Sequence, residues 1–502
     1  MPKISNLATT LDRLNRLLAQ WNCHGYIVGG FIRDWLLGGE TNDIDIAVDG
    51  DALLIAQRVA QALEGKFVRL DEVNRVARVV LIVEEGQHYY FDFSSFSGDI
   101  ESDLARRDFT IDAMAIEIGK LNVIATSEKQ FRLKLIDPFS GEKDLGNKVV
   151  RAVSEQVFEA DAVRLLRAVR LAAELGFAIE PKTENLIRRY SQFIKKIPGE
   201  RIREELLRLL ILPRAAYYLK YLDELGLLLA LIPELAESKG VEQPIIHFWD
   251  VFDHSLQTVA AIELLIRENN WEYGSEIILA TVPWSEVIDQ HLSQEVSSGS
   301  NHKIMLKLGG LFHDIAKPRT KFLDDAGRAH FYGHTKEGAV IAADILERLR
   351  FSNQEVKLVE SLVYHHLRPV QMASEELPTQ RAIYRYFRDT GDAGIDILFL
   401  ALADYLATHG PLLDMEEWRG HCRLIDYILT EHAKQQAKVL PVKLINGHDL
   451  INVFGLNPGK LIGELLAMVR EAQASGELAT REEALALVHK ELDKHALKHE
   501  VN

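Results

Sequence analysis

The chain reads as α+β: a small mixed-sheet head followed by an elongated, all-helical remainder. Three observations predict this. Short strand and helix signals alternate from Tyr26 to about Val150. From Val157 onward, apolar residues recur at helical spacing with few breaks. At 502 residues the chain is too long for one core, so several domains are expected. We divide it at 1–150, 151–236, 237–432 and 433–502.

The elements follow in order. Ile4 to Trp21 is an amphipathic helix. Tyr26–Val28, Ile44–Val48, Val76–Val83, Tyr89–Ser94, Phe109–Ile118 and Leu133–Asp137 are the expected strands. Leu165, Leu166, Val169, Ala172 and Ala173 mark one face of a helix that Gly176 ends. Residues 269–300 read as an insertion closing in a Ser-Ser-Gly-Ser loop. The tail, from about Lys438, is helical and is interrupted at Pro458-Gly459, where a new helix start could hold an RNA phosphate.

Composition narrows the function. Apolar residues make up 47% and charged residues 26% of the chain, as in soluble globular proteins. Two cysteines, Cys23 and Cys422, exclude a disulfide framework and fit a reducing compartment. No apolar run reaches membrane-span length and no secretion signal is present, so the cytoplasm is the expected location and no membrane partner is expected. A net charge of −16 argues against indiscriminate nucleic-acid binding but leaves room for a local basic groove. Arg188, Arg189, Lys195, Lys196, Arg201, Arg203, Arg208 and Arg214 form one such concentration.

The densest chemistry lies in Gly29-Gly30-Phe-Ile-Arg33-Asp34, followed by Asp43-Ile-Asp45. A glycine turn lets backbone N–H groups approach a phosphate, and a helix start favours anions. Asp43 and Asp45, two apart on a strand, share one face, while Ile44 and Ile46 take the other. Two such carboxylates can hold the metal ions that align a triphosphate with an attacking hydroxyl. Downstream, Arg106-Arg107-Asp108-Phe109-Thr110 can bind phosphate and ribose hydroxyls, and Asp161 and Arg164 share a helix face.

These motifs, with Asp137…Gly141…Asp144-Leu145 and Glu200-Arg201-Ile-Arg203-x-Glu205, resemble the class II CCA-adding enzymes of the tRNA nucleotidyltransferase and poly(A) polymerase superfamily. The resemblance is dense over about the first 210 residues. It returns at Gly447-His-Asp-Leu450…Gly455-Leu-x-Pro458-Gly459 and Arg481-Glu-Glu-Ala484. It implies a nucleotidyltransferase head, a helical neck that reads the base, and a tail that contacts tRNA. Asp43 and Asp45 would be catalytic and bind two Mg2+ ions. Gly29, Gly30 and Arg33 would hold the triphosphate. Arg106, Arg107 and Asp108 would contact the ribose. Asp161 and Arg164 would template the base, with Arg167 completing the nucleotide-binding set.

Hydrogen-bond chemistry supports the template. Cytosine and adenine each place an amino donor beside a ring-nitrogen acceptor, which suits a carboxylate and a guanidinium. Uracil and guanine reverse both positions. The expected activity is untemplated transfer of CMP and/or AMP from CTP and ATP to tRNA 3′ ends. CC-only, A-only or poly(A) addition are the alternatives, as is a mainly hydrolytic protein whose head binds RNA. Three departures from the family pattern stand out. Asp112 replaces an Asn, Ala160 replaces a Glu, and the stretch Asp92 to Leu104 is short, a feature that goes with CC-only addition in the family.

Eleven of the eighteen histidines fall between Ser238 and Thr430. The order His254…His313-Asp314…His334…His365…Asp404 resembles the HD phosphohydrolase superfamily. The resemblance makes His254, His313, Asp314 and Asp404 ligands of a divalent metal, with His334 and His365 as additional ligands of a second ion.

Overall fold

The computed structural model describes residues 2–39, 41–83, 87–123, 135–244, 246–372, 377–437, 443–474 and 476–499. It divides into two compact units, residues 1–209 with 221–231, and residues 210–220 with 232–502.

The head is built on a six-stranded mixed sheet: β1 (Gly25–Val28), β2 (Asp43–Val48), β3 (Lys66–Asp71), β4 (Val76–Val83), β5 (Gln87–Ser95) and β6 (Ala115–Glu117), in the order β3-β4-β5-β2-β1-β6. Only the β2–β5 pair is parallel. β3 escaped the sequence reading because its residues are half-exposed and carry Lys66, Arg69 and Asp71, which blur the alternation. The expected strand over Phe109–Ile118 is instead a 3-10 turn, Thr110–Asp112, followed by β6. Ile136 pairs with Ala115, which places the end of the expected strand Leu133–Asp137, whereas Leu133 and Lys134 lie outside the described residues.

Period-two burial decides where the head's chemistry sits. Ile44 and Ile46 point into a core formed with helices Pro2–Gln20 and Ala52–Ala62, through Leu11, Leu14, Leu18, Ile55 and Val59. On the opposite face, Val28, Ala47, Phe96, Ile100, Leu104 and Ala115 form a smaller core. That smaller core covers Ala47 but leaves Asp43 and Asp45 exposed on the same face. The hydrophobic effect thus fixes the strand from one side and leaves an open carboxylate edge on the other.

Beyond the sheet, helix Arg164–Leu175 ends at Gly176, which adopts the left-handed conformation (φ 65°) expected of a C-terminal glycine. Helices Pro181–Tyr190 and Gly199–Leu210 follow.

The second unit is helical. Helices Val251–Leu265, His302–Phe312, His334–Arg348, Asn353–His365 and Gly394–His409 form its core, and helix Met415–Ala437 follows. The expected loop over 269–300 is instead helices Glu276–Thr281 and Glu286–Ser293 and a two-strand hairpin, Glu295–Ser297 with Ser300–Asn301. Ser275 and Ser285 cap the two helices, accepting from Ile278 N–H and Ile288 N–H. Among the described residues one stretch, Gln380–Leu412, is apolar and long enough to cross a membrane, but 67% of its most apolar window is buried and it breaks at Gly391 into core helices. The tail packs around Leu450, Leu465, Val469 and Val488. It is tied to the same unit by buried Glu471, which faces Arg381, Arg385 and Arg388.

Candidate functional site

In the head, strand register assembles a row of side chains across one sheet face. Arg78 of β4 sits opposite Asp92 of β5, Asp92 beside Asp45 of β2, and Asp45 opposite Val28 of β1. Arg78 grips Asp92 with two bonds, Nε to Oδ1 at 2.7 Å and Nη2 to Oδ2 at 2.8 Å, and lies 3.7 Å from Asp43. Asp43, Asp45 and Asp92 therefore line one patch. Asp45 remains solvent-accessible, yet the walls of the cleft surround it. That partial desolvation, with Asp92 and Asp43 nearby and against the pull of Arg107, raises its pKa. A crowded set of oxygen donors is suited to hard divalent cations.

Gly29 ends β1 with φ 73°, and a Cβ there would stand 2.8 Å from Arg107 Nη1 and 3.2 Å from Asp45 Oδ2. Glycine at this position is thus required by both conformation and space. Gly30 opens helix Gly30–Leu36. Arg33, in that helix, bonds Asp34 (2.8 Å) and buried Asp112 (2.7 Å). Arg106 is exposed and pairs with Asp103, as does Arg107 at 3.5 Å. Asp108 is buried and accepts from Arg167 Nη1 at 3.0 Å.

The neck contributes the remaining expected residues. Burial opposes the charge on Arg167, but Asp108 and Glu205 outweigh it and hold its pKa above the ordinary value. Glu205 also accepts from Arg170 at 2.6 Å, so this one buried carboxylate orients two arginines. Asp161 and Arg164 do not share a helix face, because Asp161 is in extended backbone between helices and Arg164 opens the next one, and their side chains bond elsewhere. Asp161 is held by two bonds from Arg201 (3.0 and 2.7 Å), and Arg164 donates to the Arg106 carbonyl (2.8 Å) and the Val157 carbonyl (3.3 Å). Burial pushes the Asp161 carboxyl up, but Arg201 more than reverses this and its pKa falls.

The second unit concentrates a different donor set. His254 Nε2 lies 3.1 Å from Asp404, 3.5 Å from Asp314 and 3.2 Å from His313 Nε2. His313 turns its Nδ1 to the Gly310 carbonyl (2.8 Å), leaving Nε2 facing Asp314 at 3.1 Å. The other oxygen of Asp314 faces His334 Nε2 at 3.5 Å and His366 Nε2 at 3.9 Å. Asp314 thus links two overlapping groups, His254-His313-Asp314 and Asp314-His334-His366.

The second group corrects one expectation. His366, not His365, completes it. Successive helical side chains point about 100° apart, so only one of two neighbours can face a given site. His366 is buried with Nδ1 anchored to the Val363 carbonyl (2.8 Å), whereas His365 packs edge-on against Tyr364.

The residues fit divalent metal. Asp314 Oδ1 and His334 Nε2 are buried 3.5 Å apart without a hydrogen-bond partner, while Asp314 Oδ2 meets Lys317 Nζ at 2.6 Å. Buried polar atoms left open in this way are costly unless another group fills the space between them. Histidine with carboxylate suits transition-metal ions.

Family models match the parts of the chain that carry both clusters. Residues 25–151 match the family described as Poly A polymerase head domain, residues 176–239 that described as Probable RNA and SrmB- binding site of polymerase A, and residues 251–409 the HD domain. The chain is 33% identical to the A-adding tRNA nucleotidyltransferase of Deinococcus radiodurans, over 92% of this chain and 94% of that one. The chain belongs to the class II CCA-adding enzyme family. It is also 32% identical to the CC-adding tRNA nucleotidyltransferase of Thermus thermophilus, over 92% of both chains. The fold matches the Thermotoga maritima CCA-adding enzyme complexed with tRNA, with a TM-score of 0.58 at 24% identity, over 98% of this chain and 96% of that one.

Asp112 has a measurable consequence of its own. Burial, with Asp108 nearby and against the pull of Arg33, pushes its pKa up to about 6. The folded protein therefore binds this proton more tightly than the unfolded chain. The contribution is largest at low pH and is lost as pH rises through about 6. Thermal unfolding of wild type and Asp112→Asn should show their stability difference moving toward wild type by about 1 kcal/mol between pH 7 and pH 5. An unchanged difference would mean that Asp112 stays ionised across that range.

Three residues in contact with these sites escaped the sequence reading of roles. Arg78 was invisible because its meeting with Asp92 depends on hairpin register. Arg201 was quoted only as part of a motif and a basic cluster. His366 stood beside the residue chosen.

Proposed function

We propose that the head and neck transfer CMP and/or AMP from CTP and ATP to the 3′ end of tRNA without a nucleic-acid template. The observation that carries this is the open carboxylate edge, Asp43 and Asp45 beside the Gly29 turn and Arg107. Asp43 and Asp45 would hold Mg2+, which when bound neutralises phosphate charge and assists ionisation of the attacking hydroxyl. The chain's own groups do the rest. The Gly29-Gly30 turn and the helix start present N–H groups to the triphosphate. Arg33 adds positive charge there, with Asp112 and Asp34 holding its guanidinium in place. Arg107 faces the metal-side carboxylates, Asp108 is fixed by Arg167 for the ribose, and Asp161 with Arg164 meets the pairing edge of the base.

A short connection supports partial rather than complete CCA synthesis. Only four residues, 96–99, join β5 to helix Ile100–Leu104, which Asp99 caps. No long flexible excursion is present there, and the two relatives at 33% and 32% identity are themselves A-adding and CC-adding. Labelled CTP and ATP should be offered with tRNAs ending before the tail, after C and after CC. Stopping at CC identifies a CC-adding enzyme. Activity on the CC-ended tRNA alone identifies an A-adding one. Completion of CCA from the bare tRNA rejects the partial reading, and no incorporation on any substrate rejects the transferase reading.

The same chain also supports a second reaction. His254, His313, Asp314 and Asp404, extended by His334 and His366, would hold one or two divalent ions for hydrolysis of a phosphomonoester or phosphodiester. The linking position of Asp314 between the two histidine groups carries this reading.

A further inference from the structure

A third cluster of ligating side chains lies in the second unit and belongs to neither site above. His291 is in the last turn of helix Glu286–Ser293, His302 opens helix His302–Phe312, and Asp396 is in the first turn of helix Gly394–His409. The hairpin between the histidines, with its turn at Gly299 (φ 83°), folds the chain back and brings their ring centroids to 4.3 Å. Both rings converge on one fully buried carboxylate. His291 Nε2 is 2.7 Å from Asp396 Oδ2, and His302 Nδ1 is 3.1 Å from each oxygen. His302 is buried, whereas His291 is partly exposed on the wall of a cleft of about 460 Å³. Glu295, Asp392 and Lys357 line the same cleft.

We propose that His291, His302 and Asp396 bind a divalent transition-metal ion of the zinc class, with a further coordination position open to this cleft. The three donor atoms lie within 4.8 Å of one another, as do those of each group in the HD cluster. Two imidazoles and one carboxylate form a set suited to zinc and its neighbours, and three protein ligands leave room for water. Without an ion, the nitrogen of each ring that faces Asp396 donates its proton to that one carboxylate; a metal takes the place of both protons. The donors come from three helices, so the ion cross-links the 269–300 segment to the core. That segment also holds on through buried Trp271, Ile278, Val282, Ile288 and Leu292 and through Thr281, which accepts from Trp418 Nε1 at 2.7 Å.

The test is zinc stoichiometry on the full chain. Wild type, His291→Ala and Asp396→Asn are stripped with chelator, dialysed against low-micromolar Zn2+ and assayed for bound metal. His291 is partly exposed on a peripheral helix, so its variant should fold. Asp396→Asn preserves volume and provides an independent removal of the site. Circular dichroism checks both. The HD cluster contributes equally in all three proteins, so the difference is the readout. One equivalent fewer per chain in the folded variants is expected. Cobalt substitution should lose part of its visible absorption in parallel. Equal zinc in wild type and any folded variant overturns the proposal and leaves a hydrogen-bonded triad.

Discussion

Asp43→Ala combined with Asp45→Ala is expected to lower nucleotide incorporation into tRNA by about a thousandfold or more, because several kcal/mol of charge stabilisation would be lost and each 1.36 kcal/mol is tenfold. The fold should survive. Both carboxylates are on the exposed side of β2, and the core is filled by Ile44 and Ile46 on the other. Removing Asp45 also relieves its crowding against Asp92, so the melting temperature should be unchanged or higher. Incorporation of labelled CTP and ATP, with circular dichroism on the same samples, checks both parts. A folded double variant that still incorporates nucleotide would move the metal site to other carboxylates, with Asp92 the next to examine.

His313→Ala with Asp314→Ala should abolish the proposed phosphohydrolase activity while sparing nucleotide addition. Here the structural cost is real. Asp314 is buried against Lys317, and stripping one member of a buried ion pair costs about 3–5 kcal/mol. Asp314→Asn is the gentler companion, since it keeps the volume and removes the charge that links the two histidine groups. Hydrolysis of p-nitrophenyl phosphate and its diester in the presence of Mn2+ or Ni2+, beside tRNA extension, separates the functions. Loss of extension in a folded variant would show that the two sites are not independent. Retained hydrolysis would remove Asp314 from the metal centre.

The parts legible in the sequence are those governed by short-range periodicity. Alternation of Asp43, Ile44, Asp45 and Ile46 gave the exposed edge, because a strand's two faces are written in successive residues. The glycine at 176 marked a helix end because few other residues take that backbone conformation cheaply. What could not be read depends on register or on contacts across long separations. Arg78 meets Asp92 only because the β4–β5 hairpin pairs them. Asp396 meets His291 and His302 across about a hundred residues of chain, through helices whose relative rotation no local pattern encodes. Choosing between His365 and His366 needed the orientation of the end of one helix, which periodicity leaves uncertain by a residue. In 269–300 the Ser-Ser-Gly-Ser run did mark a turn, at Gly299, but the two short helices before it, Glu276–Thr281 and Glu286–Ser293, were too short for periodicity to show.

The bonding of Asp161 to Arg201 has a consequence for fidelity. Arg201 already satisfies the Asp161 carboxylate, so if that carboxylate reads the base as proposed, an arriving nucleotide would meet an occupied seat. A base offering an amino donor would compete with Arg201 for one of the two carboxylate oxygens and repay part of the bonding it takes. A base presenting a carbonyl cannot, and the guanidinium stays in place. Rejection then requires no clash with the wrong base. The resident arginine acts as a standing competitor, and selectivity becomes a contest between two ligands for one carboxylate, decided by which of them bonds it better.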